Sequence, residues 1–150
     1  MNMENTMKEK IEFLTKEDYP LGSKRPDLLF TPREQAYNDL TLDAALKGEI
    51  TGADLRISPK TLEMHANISE SLGRTQLAKN FRRAAEMIKI SDARILEIYN
   101  ALRPNRSTKE ELLAIADELE EEYEATENAE LIREAANVYE RRGRLKKNED

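Results

Sequence analysis

Apolar residues recur along most of this chain at steps of three and four, the spacing that lines one face of a helix. From Thr41 onward the pattern divides into successive amphipathic segments. Thr41 can cap a short first one, which Gly48 can end. After a turn signal at Thr51 and Gly52, Ser58 offers an N-cap and Pro59 a first helical residue whose missing donor costs nothing. Leu62, Ala66, Ser69 and Leu72 then mark one face up to Gly73. Leu77, Phe81, Ala84, Ala85 and Ile88 predict a helix over about residues 74–89. Ser91 and Asp92 open another, through Ile95, Ile98, Tyr99 and Leu102, that Pro104 closes. Ser107 and Glu110 have the spacing of a capping box, placing the start of a helix striped by Leu112, Ile115, Ala116, Leu119 and Tyr123. A last helix, over about residues 127–142, carries Leu131, Ile132, Ala135, Val138 and Tyr139. Arg141 and Arg142 suit the negative end of its dipole and Gly143 ends it. No strand alternation competes with these helices.

The start of the chain reads differently. Met3, Met7, Ile11 and Leu14 give residues 1–17 a single apolar stripe, an amphipathic leader of marginal helicity. Pro20, Pro26 and Pro32 interrupt any regular helix across residues 18–40. An extended docking arm with short helical turns is therefore expected over residues 18–57. It carries Tyr19, Leu21, Leu28, Leu29, Phe30 and Tyr37, large apolar side chains that need a surface to cover them. The fold expected is all-α: an open up-and-down helical bundle over residues 58–150, preceded by the extended, Pro-rich N-terminal arm.

Composition sharpens this picture. A chain of 150 residues can bury one core. Hydrophobic residues reach only 39% and charged ones 36%, so apolar groups must concentrate on packing faces. The net charge of −6 repels a phosphate backbone, which argues against nucleic acid. The absence of cysteine removes disulfides and thiolate metal sites. No apolar run approaches the ~20 residues that cross a bilayer, and the N-terminus lacks the apolar core of a secretory signal, so a cytoplasmic location is expected.

Catalytic, cofactor-binding and metal-ligating residues are all expected to be absent. His65 is the only histidine, so it has no second imidazole with which to hold a metal, and it reads as the edge of a packed face. The acids between Glu110 and Glu124 lie mostly off the apolar stripe and read as a solvated face rather than a calcium loop. Lys79, Arg82, Arg83, Arg103 and Arg106 form the one internal basic set. Without a glycine-rich phosphate loop, ion pairs with Glu86 and its neighbours explain them more simply. Arg144, Lys146 and Lys147 read as a fraying, solvated tail. No nucleophile elbow occurs.

Several segments together resemble the small (gamma) subunit of adenosylcobalamin-dependent diol and glycerol dehydratases. They are Asp18-Tyr19-Pro20-Leu21, Asp54-Leu55-Arg56-Ile57-Ser58, Asn80-Phe81-Arg82-Arg83-Ala84-Ala85-Glu86, the run from Arg94 to Pro104, and the run from Arg106 to Glu120. The likeness extends from about Asp18 to Lys147. It implies a two-fold heterohexamer of large (alpha), medium (beta) and small subunits that converts 1,2-propanediol or glycerol to an aldehyde and water. Adenosylcobalamin and a metal ion would be bound by the other subunits, and no catalytic residue carries over to this chain. The arm around Tyr19, Leu21, Leu28, Leu29 and Phe30, with helix faces bearing Phe81, Arg82, Tyr99 and Arg103, is the expected docking set for the large subunit. Residues 1–17 are similar to leaders that take such enzymes into bacterial microcompartments, and a disordered or merely docking segment is an equal reading. Two rival functions stand beside the resemblance: a free helical adaptor gripping another partner through its hydrophobic arm, and an acid–base enzyme using His65 with Glu63 or Glu70.

Overall fold

A computed structural model describes residues 14–147; of the leader stripe, Met3, Met7 and Ile11 lie outside the described residues. Among the described residues there are seven α-helices and no strand, only an isolated antiparallel bridge between Phe30 and Ala36. The chain divides into two compact units, Met1–Ala85 and Glu86–Asp150.

The first unit contains α1 (Leu21–Lys24), α2 (Leu42–Leu46), α3 (Pro59–Ser71) and most of α4 (Thr75–Met87), with 3-10 turns at Lys16–Asp18, Pro26–Leu28 and Tyr37–Asp39. Short helical turns punctuate its early, Pro-rich segment, and the prolines explain where they start. Pro20 is the cap residue of α1 and Pro26 begins a 3-10 turn, positions where a fixed φ helps and the missing donor is not needed. Thr15 and Asp18 cap the first turn reciprocally, the Thr15 N–H donating to Asp18 Oδ2 at 2.9 Å. These turns aim Leu14, Leu21 and Leu28 at Met64 and Ile68 of α3, giving a small core. Ser58 caps α3 by accepting from the Thr61 N–H at 3.2 Å, and Gly73 follows its end at φ +71°, where any other residue would be strained.

Between α2 and α3 the chain is tied by a polar knot. Asp54, buried, accepts from Thr51 N (2.8 Å), Thr51 Oγ1 (3.0 Å) and Thr31 Oγ1 (3.2 Å), while Arg33 clasps both of its oxygens. The Arg33 guanidinium and the Thr51 donors hold the Asp54 carboxyl below the usual carboxylate range.

The second unit contains α5 (Asp92–Ala101), α6 (Lys109–Tyr123) and α7 (Thr126–Arg142). α6 and α7 form a hairpin turned by Glu124 and Ala125, with Glu124 left-handed at φ +55° and the Ala125 N–H donating to Leu119 O at 2.8 Å. Ala116, Ala125, Ala129 and Ala136 are fully buried, and their small side chains let backbones approach around Leu112, Leu119, Ile98 and Ile132.

Two local expectations shift, and Glu86 takes a further role. The capping box sits one residue later, on Thr108 and Glu111, because the Ser107 hydroxyl instead donates to Ala101 O at 2.9 Å. Glu86 also caps a helix. Its carboxylate accepts from the backbone N–H groups of Glu127 and Asn128, both at 3.0 Å, closing the N-terminus of α7. The chain after Gly143 is anchored rather than fraying: Arg144 O accepts from Asn105 N at 2.7 Å, Lys146 N donates to Ser107 O at 2.8 Å, and Leu145 packs on the core.

Candidate docking surfaces

In the first unit, α3 and α4 are laced by Arg82. Its guanidinium binds Glu70 with two hydrogen bonds of 2.8 Å and also reaches Glu63 Oε1 and Asn67 Oδ1, each at 3.0 Å. Hydrogen bonding to Glu70 comes first in raising the Arg82 pKa, and the same contact lowers that of Glu70. Beside this fork His65 stacks on Phe81, with ring centroids 5.4 Å apart at 26°, and Tyr19 meets His65 edge-on at 6.4 Å. Burial lowers the His65 pKa, so the ring is held neutral against aromatic faces. Arg82 already occupies Glu63 and Glu70, the two carboxylates a His65-based acid–base pair would draw on.

The expected docking residues thus separate by place. Leu21 and Leu28 are buried in the unit's own core and present no surface. Leu29 is half-buried against the same core, whereas Tyr19 is 55% exposed and Phe30 is exposed at its edge. Phe81 and Arg82 are half-buried; Phe81 shores up Tyr19 through His65, and Arg82 ties α4 to α3. The most exposed aliphatic side chains of this unit lie outside the expected set: Leu42 and Leu46, one turn apart on α2, and Leu55 and Ile57 just after Asp54. The signal was available, since Leu42 and Leu46 stand four apart with no other apolar stripe beside them.

In the second unit an open apolar cavity of about 190 Å³ is lined by Ile90, Ile98, Tyr99, Leu102, Leu131 and Ile132 among others. That volume suits one or two inserted side chains and falls short of a ligand cleft of roughly 300 Å³ or more. Tyr99, 67% exposed, stands at its edge, and Arg103, also exposed, follows four residues later. Arg94 pairs with Glu97 at 2.7 Å and with Glu118, fastening α5 to α6 below.

Among the described residues, no three His, Cys, Asp or Glu side chains come together as a metal site, and no helix is long and apolar enough to cross a membrane. Each unit presents exposed apolar and aromatic side chains backed by a core or an ion-pair fork.

The sequence profile of the family described as dehydratase small subunit matches residues 14–146. The propanediol dehydratase small subunit of Salmonella typhimurium is 52% identical over 129 residues, covering 86% of this chain and 75% of that protein. The protein of the same description from Citrobacter freundii is 50% identical over 129 residues, with the same coverage. On a match that takes in both units and the residues that form the two surfaces, this chain belongs to the dehydratase small-subunit family.

Proposed function

We propose that this chain is the non-catalytic, architectural small subunit of a coenzyme-B12-dependent dehydratase that turns 1,2-propanediol into propionaldehyde and water, with glycerol as the alternative substrate. The observation that carries the reading is the similarity over nearly the whole described chain to two propanediol dehydratase small subunits. The partners in this reading are the large and medium subunits of a two-fold heterohexamer, which hold adenosylcobalamin and the metal ion. The small subunit contributes apolar area: Tyr19, Leu29 and Phe30 on the arm of residues 18–57, and Tyr99 with Arg103 on the helical part, residues 58–150. Leu21, Leu28, Phe81 and Arg82 act from beneath by fixing the exposed side chains in place, which lowers the entropy lost on docking. Residues 1–17 are proposed to direct the complex into a bacterial microcompartment.

Because Leu21 and Leu28 build the core, deleting the arm would unfold the unit, so surface substitutions are the cleaner probe. The tagged chain, co-expressed with the two larger subunits, should co-purify with both, and Tyr19→Ala with Phe30→Ala should weaken that recovery while the purified variant keeps its helical circular dichroism. Full recovery of the double variant would remove the arm from the interface. Residues 1–17 fused to a fluorescent protein should give punctate signal in compartment-forming cells, and a diffuse signal rejects the targeting role.

A further inference from the structure

The chain is acidic overall, yet one end of the second unit is not. The turn after α5 exposes Arg103 and Arg106, and the anchored segment after α7 exposes Arg144 and Lys146. The two segments are bonded backbone to backbone, Asn105 N to Arg144 O at 2.7 Å and Lys146 N to Ser107 O at 2.8 Å, so residues forty positions apart in sequence present their charge together. Arg141 and Arg142 add to it from the last turn of α7. Among the described residues none of these six cations is ion-paired; the nearby Glu140 is taken by Lys109 at 2.7 Å. Six unanswered cations in a chain of net charge −6 raise the local potential where the rest of the molecule lowers it.

The apolar cavity adjoins this patch. Arg103 follows Tyr99 by four residues, just past the end of α5, and Leu102, which lines the cavity, accepts from Tyr139 Oη at 2.7 Å through its carbonyl, fixing the junction. An apolar pocket with an aromatic at its lip and arginines along its edge has the anatomy of a protein interface, with a desolvated centre and a charged rim. A nucleic acid would meet the repulsion of the acidic remainder and has no use for the cavity.

We infer that the α5 face and the basic end of the second unit form one docking surface, and that its occupant is an acidic surface of a larger dehydratase subunit. The occupant would insert an aliphatic or aromatic side chain into the cavity and set carboxylates opposite Arg103, Arg106, Arg144 and Lys146. This rests on the subunit reading above and adds the chemistry of the partner. The charged rim would act chiefly by steering encounter and rejecting wrong partners.

The test is competition within the assembled complex. Differently tagged wild-type chain and the variant Arg103→Glu/Arg106→Glu/Arg144→Glu/Lys146→Glu are co-expressed with the larger subunits, and the ratio incorporated is read by mass spectrometry against the ratio expressed. The charge-reversed chain should be under-represented by about tenfold or more, while the charge-conserving variant Arg103→Lys/Arg106→Lys/Arg144→Lys competes equally. Thermal unfolding of both purified variants separates lost folding from lost docking. Equal incorporation of a folded charge-reversed chain overturns the inference. So does salt-sensitive retention of the complex on DNA that the charge-reversed variant abolishes without losing incorporation. Failure of the wild-type chain itself to enter the complex overturns the subunit reading, and this inference with it.

Discussion

The two units reach a folded state by opposite routes. The second is built on a hairpin of long helices whose buried faces are continuous: Leu112, Ala116 and Leu119 on α6 face Ala129, Ile132 and Ala136 on α7. Among the described residues the first gathers a small cluster of Leu14, Leu21 and Leu28 on Met64 and Ile68, and depends on polar fastenings: the Asp54 knot and the Arg82 fork. It also leaves more large apolar side chains exposed, from Tyr19 and Phe30 to Leu42, Leu46, Leu55 and Ile57. The difference teaches where this chain puts its limited apolar material. The helical hairpin keeps it for its own stability, and the first unit turns much of it outward and holds its shape with hydrogen-bonded charge.

If that contrast is right, core truncation should hurt the second unit most. Leu112→Ala, at a fully buried position, should cost about 3–4 kcal/mol in urea unfolding. Leu28→Ala, in a small core that can relax around the loss, should cost nearer 2 kcal/mol. Equal costs would show that the first unit is packed as tightly as the second.

Polar substitution probes the fastenings of the first unit. Asp54→Asn keeps the shape but removes the charge that Arg33 clasps, and it should lower the melting temperature by less than Leu28→Ala does. Its pH dependence has a definite sign. The folded carboxyl binds its proton more weakly than the unfolded one, so its stabilisation is complete above the unfolded pKa of about 3.9 and is lost as pH falls through the lower folded value. The gap between wild type and Asp54→Asn should therefore shrink below about pH 4; a gap constant with pH contradicts the knot.

His65 gives a smaller effect in a different window. Its folded pKa is lowered by burial, so the unfolded chain takes up a proton first, and stability declines as pH drops from about 6.5 toward the folded value. His65→Gln should flatten the melting temperature across that interval. A similar decline in the variant would assign it to other groups. The smallest change expected is a gain: Glu124→Gly relieves the left-handed residue between α6 and α7 by about 0.5–1 kcal/mol, and the exposed Lys89–Glu124 pair it removes contributes little.

Helices were readable in the sequence because their signals are local. Ser58 with Pro59, the Ser91 cap and Gly143 all end or begin elements where their chemistry suggests. The capping box slipped by one because Ser107–Glu110 and Thr108–Glu111 have identical spacing, and only a contact to Ala101 O separates them. What stayed hidden is long-range. Arg82 reaches back 12 and 19 residues to Glu70 and Glu63, and Glu86 reaches forward 41 and 42 to α7, distances at which no periodicity operates. The short turns of the arm were expected from its prolines, but which prolines start them is set by contacts beyond the local sequence. Of the proposed docking set, Tyr19, Phe30, Tyr99 and Arg103 stand exposed. The burial of Leu21 and Leu28 is a tertiary fact.

The central claim is that this chain serves a dehydratase by gripping its larger subunits and performs none of the chemistry itself. Propanediol dehydration with added adenosylcobalamin, measured for the purified chain, for the larger subunits expressed without it and for all three together, tests that most directly. No turnover by the chain alone, with the larger subunits recovered in lower yield as active complex when it is missing, is the result expected. Propionaldehyde formed by the isolated chain would contradict it.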